Sequence, residues 1–167
     1  SLSERHPQRP YELPGVLQAA VSMVESRGLT ERVRFVEGDF HAIEVARDAF
    51  DVVVLGHVCR TEGEARSRSL IARAFEALSP GGQILVADYF ADNDRKYNPF
   101  GVQMGLTMMA NTERGGLLTN AEMSSWLREA GFSAIRLIEP IGFNYVYVAT
   151  KPAADVYVAT RPVAGGE

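Results

Sequence analysis

The sequence predicts an α/β fold on a mostly parallel sheet. Three observations carry this. Val52-Val53-Val54-Leu55 is a continuous apolar run rich in β-branched residues, the pattern of a strand buried on both faces. Ile84-Leu85-Val86-Ala87 is a second such run. Between them Leu70, Ile71, Ala74, Phe75 and Leu78 recur at helical spacing. Strand, helix and strand in that order make a parallel pair with a right-handed crossover.

The other elements follow in chain order. Residues 1–9 carry no start signal and read as the tail of an earlier element. Tyr11-Glu12-Leu13 is a very short strand, and Pro14 suits the first position of a helix. Val16, Leu17, Ala20, Val21 and Val24 form that helix's buried face, and Gly28 ends it. Residues 32–37 predict a strand. Gly38-Asp39-Phe40 stands at its carboxyl end, where open α/β sheets bind ligands. Thr61-Glu62-Gly63-Glu64 has capping-box spacing and starts the crossover helix. Ser79-Pro80-Gly81-Gly82 stops it, because Pro cannot continue a helix and Gly accepts left-handed dihedrals.

After Asp88-Tyr89-Phe90, a stretch rich in Asn, Asp, Pro and Gly is a loop. Residues 101–110 predict a helix, and residues 111–116 a turn. Thr119-Asn120-Ala121-Glu122 is a second capping box. Its helix puts Met123, Trp126, Leu127 and Ala130 on one face and closes at Gly131. Residues 134–138 form a strand, and Val146 to Pro152, VYVATKP, is a final strand set antiparallel. The same segment recurs as VYVATRP from Val156 to Pro162. The second copy is an extra edge strand, a swapped strand or a tail. The predicted domains are therefore 1–152, a partial domain, and 153–167, an extra strand or tail.

Composition narrows the function. With 46% hydrophobic and 23% charged residues, the chain is an ordinary globular domain. Its net charge of -4 argues against nucleic acid as a partner, since phosphate binding needs clustered Lys and Arg. One cysteine, Cys59, excludes an internal disulfide and fits a reducing cytoplasm. No apolar run approaches the ~20 residues that span a bilayer, so no membrane partner is expected. No signal peptide is expected, because the opening residues are polar and include Pro7 and Pro10. His41 and His57 are two of only three histidines, and no Cys/His/Asp cluster has metal-ligand spacing, so no protein-bound metal is expected.

An acid before a hydrophobic strand and the later stretch ALSPGGQILVAD resemble class I S-adenosylmethionine-dependent methyltransferases. The spacing from Asp51 through Gly82 to Asp88 resembles the small-molecule O-methyltransferases in particular. ELPGVL at Glu12 is similar to that family's DLPxVL, and WLREAGF at Trp126 also resembles it. The resemblance implies a Rossmann-like methyltransferase sheet, incomplete at the N-terminus. It implies methyl transfer from S-adenosylmethionine to a hydroxyl of a small-molecule acceptor. It gives Glu12 to the ribose and Asp39 and Phe40 to the adenine. The other reading is a solvated Glu and a Gly-Asp turn with a core Phe. It places Met104, Met108, Met109 and Asn111 along the acceptor pocket, with core filler as the other reading for each Met.

The chain also departs from the pattern. It contains no DxGxGxG loop, whose glycines let the backbone approach the cofactor. As a fragment or a truncated fold, this chain is therefore expected to bind S-adenosylmethionine weakly or not at all. The N-terminal dimerisation domain usual in these enzymes does not occur either. A sheet without its first strand presents unpaired backbone groups, so a homo-oligomer is expected. Where plant-type relatives place a catalytic His, this chain has Arg60, and Leu117 stands where a supporting Glu is usual. Arg keeps its proton, so it cannot be the base. The catalytic candidates are Arg60, His57 and Asp88, with Arg60 stabilising an acceptor that is already anionic. The alternative function is a degenerate methyltransferase-like module that binds without catalysis. A different Rossmann-type nucleotide enzyme finds little support, because GxGxxG is absent.

Overall fold

The computed structural model describes residues 11–12, 14–96, 98–141 and 143–153. The second VYVAT copy lies outside the described residues, as do residues 1–10. The chain divides into two compact units, residues 1–45 and 46–167.

In the first unit, β1 (Tyr11–Glu12) pairs in parallel with β2 (Val36–Glu37). Between them runs α1 (Pro14–Ser26). Leu17, Ala20, Val21 and Val24 are its half-buried positions, as the spacing predicts. Its end is a Schellman cap. Gly28 sits at φ +65°, its N–H donates to Glu25, and Leu29 N–H donates to Val24. The strand predicted over 32–37 is shorter than expected. Thr30–Arg32 forms a 3₁₀ turn instead. The ladder can run only as far as its partner, and β1 has two residues.

The second unit holds a four-stranded sheet in the order β3-β4-β6-β5. Its elements are β3 (Phe50–Gly56), α2 (Cys59–Ala77), β4 (Leu78–Asp88), α3 (Pro99–Asn111), α4 (Asn120–Glu129), β5 (Ser133–Ile141) and β6 (Asn144–Thr150). β3 and β4 are parallel, and β6 runs antiparallel to both β4 and β5. The mostly parallel direction with one reversed C-terminal strand is thus observed. The core lies on one sheet face, where Ile84, Val86, Tyr147 and Ala149 meet Ile71 and Ala74 of α2 and Met123, Trp126 and Leu127 of α4.

Several features differ from the sequence reading. Val53 and Leu55 pack on the core, but Val52 and Val54 do not, and Val54 is 61% exposed. β3 is covered on one face only, so its burial alternates along the strand. The box at Thr61 does not cap α2; Thr61 Oγ1 donates to the Val58 carbonyl, and Gly63 at φ +72° kinks the helix. The Pro80-Gly81-Gly82 turn is absorbed into β4 as an irregularity, since the register jumps from Phe50↔Leu78 to Val52↔Gln83. α3 starts two residues early, because the Asn98 side chain caps Gly101 N–H and Pro99 takes the first turn. The box at Thr119 forms as predicted, with reciprocal bonds to Glu122.

Candidate functional site

β3 ends at Gly56, and the chain must turn at once to start α2. His57 makes the turn at φ +56°. Its N–H donates to the Ala87 carbonyl at 2.8 Å, so it stays tied to β4. Arg60 follows in the first turn of α2. β4 ends beside it at Asp88, which is 0% exposed. A buried carboxylate needs charged or N–H partners, and Asp88 has three. Oδ1 accepts from Arg60 Nη1 at 2.7 Å and from Tyr89 N–H at 2.9 Å. Oδ2 accepts from Arg60 N–H at 3.2 Å. The second hydrogen of Arg60 Nη1 reaches His57 Nδ1 at 2.8 Å.

Rings extend the cluster outward. The Arg60 guanidinium carbon lies 5.0 Å from the Tyr89 ring centroid, and the His57 ring lies 4.8 Å from it. Tyr89 meets Phe100 edge-on at 5.0 Å, and Phe100 stacks on Phe143 at 4.4 Å. Phe143 is 60% exposed, so this ladder ends at the surface.

The stretch before α4 braces Arg60. Gly116 N–H donates to the Arg60 carbonyl at 3.0 Å. A Cβ on Gly115 would stand 2.6 Å from that same oxygen, so only glycine fits. Beside these residues is a cavity of about 120 Å³ lined by Cys59, Arg60, Gly63, Arg114, Glu122 and Trp126. Cys59 is buried, and desolvation, assisted by the Asp88 charge, pushes its thiol up to about 12. It is no nucleophile.

In the first unit, Glu12 closes β1 in register with Glu37, so it stands at the carboxyl end of the parallel pair. Gly38-Asp39-Phe40 follows β2 at the same end. Asp39 is exposed, and its Oδ1 accepts from His41 N–H at 2.8 Å. Gly38 has φ +147°, and a Cβ there would press on Ile43 at 3.0 Å. The Phe40 ring lies 4.8 Å from the His41 ring.

Two absences hold among the described residues. No group of three His, Cys, Asp or Glu could hold a metal ion. No helix is long and apolar enough to cross a membrane.

A family model described as an O-methyltransferase domain matches residues 7–133. The chain belongs to this O-methyltransferase family. The tetracenomycin polyketide synthesis 8-O-methyl transferase TcmO of Streptomyces glaucescens is 32% identical over 142 residues, covering 85% of this chain and 41% of that protein. The 3-hydroxy-5-methyl-1-naphthoate 3-O-methyltransferase of Streptomyces sahachiroi is 29% identical, covering 82% and 40%. The chain thus spans about two fifths of the length of these relatives. Human N-acetylserotonin methyltransferase, solved with S-adenosylmethionine, superposes with a TM-score of 0.74 at 24% identity, covering 88% of this chain and 41% of that one. At that identity the likeness concerns the fold.

Of the residues singled out in this O-methyltransferase sequence, Arg60, His57 and Asp88 come together. Arg60 is not a free cation for an anionic acceptor: its side chain is 15% exposed and its charge is opposed by Asp88. Met104 and Met108 are half-buried on α3, while Met109 is 61% exposed. The Asn111 amide is exposed and donates to the Thr107 carbonyl of its own helix at 2.8 Å. Leu117 packs against Gly105 of α3. Sequence reasoning missed Tyr89, Phe100 and Phe143. Tyr89 was findable as the neighbour of a strand-end acid. Phe143 carries no local signal, because only the β5–β6 hairpin brings it to Phe100.

Proposed function

We propose that this chain is the C-terminal catalytic part of an enzyme that transfers a methyl group from S-adenosylmethionine to a hydroxyl of a small aromatic acceptor. The carrying observation is the Asp88–Arg60–His57 cluster at the carboxyl ends of adjacent parallel strands, with an aromatic ladder running outward from it. Family membership favours transfer over a binding module without catalysis.

The cofactor's donor set fits the first unit. A carboxylate with only one oxygen engaged in the turn, beside an aromatic ring, suits an exocyclic amine and a purine face. Asp39 and Phe40 would hold the adenine, and Glu12 the ribose. When bound, S-adenosylmethionine supplies an electrophilic methyl group. The chain's own residues do the rest. Asp88 fixes Arg60, and Arg60 fixes the imidazole of His57. Tyr89, Phe100 and Phe143 offer ring faces to a flat acceptor, with Met104, Met108, Met109 and Asn111 of α3 as the other wall.

The reading extends to a partial methyltransferase domain over 1–152, a supplementary strand or tail over 153–167, a homo-oligomer and a cytoplasmic location. Support for the oligomer is the apolar edge strand β3 with Val54 in the open. The test is to incubate the chain with S-adenosylmethionine and a panel of hydroxylated aromatics and to follow S-adenosylhomocysteine. Acceptor-dependent formation supports the proposal. No turnover from a chain that calorimetry shows to bind the cofactor overturns it.

A further inference from the structure

We infer that His57 serves as a hydrogen-bond donor through Nε2 rather than as the base, and that the site therefore takes acidic phenols that arrive as oxyanions. This rests on the methyl-transfer reading above. A guanidinium has five N–H donors and no acceptor. Arg60 Nη1 carries two hydrogens, and it has two partners, Asp88 Oδ1 at 2.7 Å and His57 Nδ1 at 2.8 Å. The contact at Nδ1 can therefore only be one in which His57 accepts. Its Nδ1 lone pair is engaged, so the neutral ring carries its proton on Nε2. A ring in that form has no free lone pair with which to take a proton.

The surroundings fix this form. Asp88 Oδ1 lies 3.8 Å from His57 Nδ1, too far to accept from it, and is already filled by Arg60 and Tyr89 N–H. Tyr89 packs on the ring at 4.8 Å, and no hydrogen bond reaches Nε2 among the described residues. The side chain is 39% exposed. The backbone at φ +56° is a conformation that non-glycine residues hold mainly where surroundings enforce it. His57 is thus presented, not incidental.

A donor aimed at oxygen favours the oxyanion over the hydroxyl, because a hydrogen bond to the charged form stabilises that form. The step then balances simply. The acceptor has already given its proton to water. Its oxygen lone pair forms the new O–CH₃ bond while the cofactor's S–C pair returns to sulfur, leaving a neutral thioether. Arg60 acts through His57 and is a positioning residue.

The first experiment needs no activity. Long-range ¹H–¹⁵N spectra of the ring in the intact chain are expected to show protonated Nε2 and unprotonated Nδ1. A proton on Nδ1 overturns the inference whether or not the chain transfers methyl groups. Arg60→Leu is expected to release the ring into mixed tautomers. The second reads turnover. His57→Ala is expected to lose about tenfold to a hundredfold, the range of a hydrogen bond to a charged group. His57→Gln, whose amide donates but takes no proton, is expected to recover most of that loss. Across phenols of graded acidity, the pH of half-maximal rate is expected to follow the phenol. A Gln variant as inactive as the Ala variant, or a half-rate pH fixed regardless of phenol, overturns it.

Discussion

Gly63 and Arg114 meet at a distance that excludes any other residue at 63: a Cβ there would stand 2.4 Å from the Arg114 carbonyl oxygen. Gly63 also has φ +72° and ψ 174°, a region open essentially to glycine alone. Gly63→Ala is expected to cost at least ~1–3 kcal/mol from backbone strain, before the clash is counted. Urea unfolding checks this. An unchanged midpoint would mean the kink is not needed.

Asp88→Ala leaves the Arg60 guanidinium largely buried without its carboxylate. Removing one partner of such a pair typically costs ~3–5 kcal/mol. Asp88→Asn keeps an acceptor oxygen for Arg60 and is expected to cost less. Both values come from denaturant titration. Equal losses would show that the charge carries the whole effect and that a neutral acceptor restores none of it.

Stability is expected to fall at alkaline pH through Cys59. Burial raises its thiol from 9.0 to about 12 in the folded chain. The unfolded thiol ionises first, so this contribution is complete below 9.0 and is lost as pH rises toward 12. The fall should be shallower in Cys59→Ala, compared by unfolding at matched pH. In the native chain the thiol should also react slowly with alkylating reagents at neutral pH.

Asp39→Ala tests the cofactor assignment. Loss of a hydrogen-bonding partner costs ~1–3 kcal/mol, which weakens S-adenosylhomocysteine binding about 5- to 150-fold. Calorimetric titration of both chains decides it, and equal affinity would remove Asp39 from the site.

The crossover unit was legible because its signals are local. Val52 to Leu55 and the stripe from Leu70 to Phe75 each declare themselves within one element, as does the box at Thr119 that starts α4. The strand-end acid Asp88 was legible by type and place. The partnership of Asp88 with Arg60 was not, since it depends on two neighbouring strands ending level. Thr61 had the spacing of a cap, but the helix had already begun at Cys59, and the nearby chain imposed the kink at Gly63. Phe143 joined the aromatic ladder through a hairpin whose register no local pattern announces.

β6 lies between β4 and β5, although both precede it in the chain. During synthesis, β5 therefore leaves the ribosome with no neighbour to pair with. The pairings of Arg136 with Val148 and of Leu85 with Val148 form only when one late segment slots between two waiting edges. Until then the chain exposes two open ladders, each able to accept a stray strand from another nascent copy. Yield from cells is thus expected to depend on how promptly the segment up to Thr150 is delivered. A stop ahead of Asn144 should send the product into inclusion bodies.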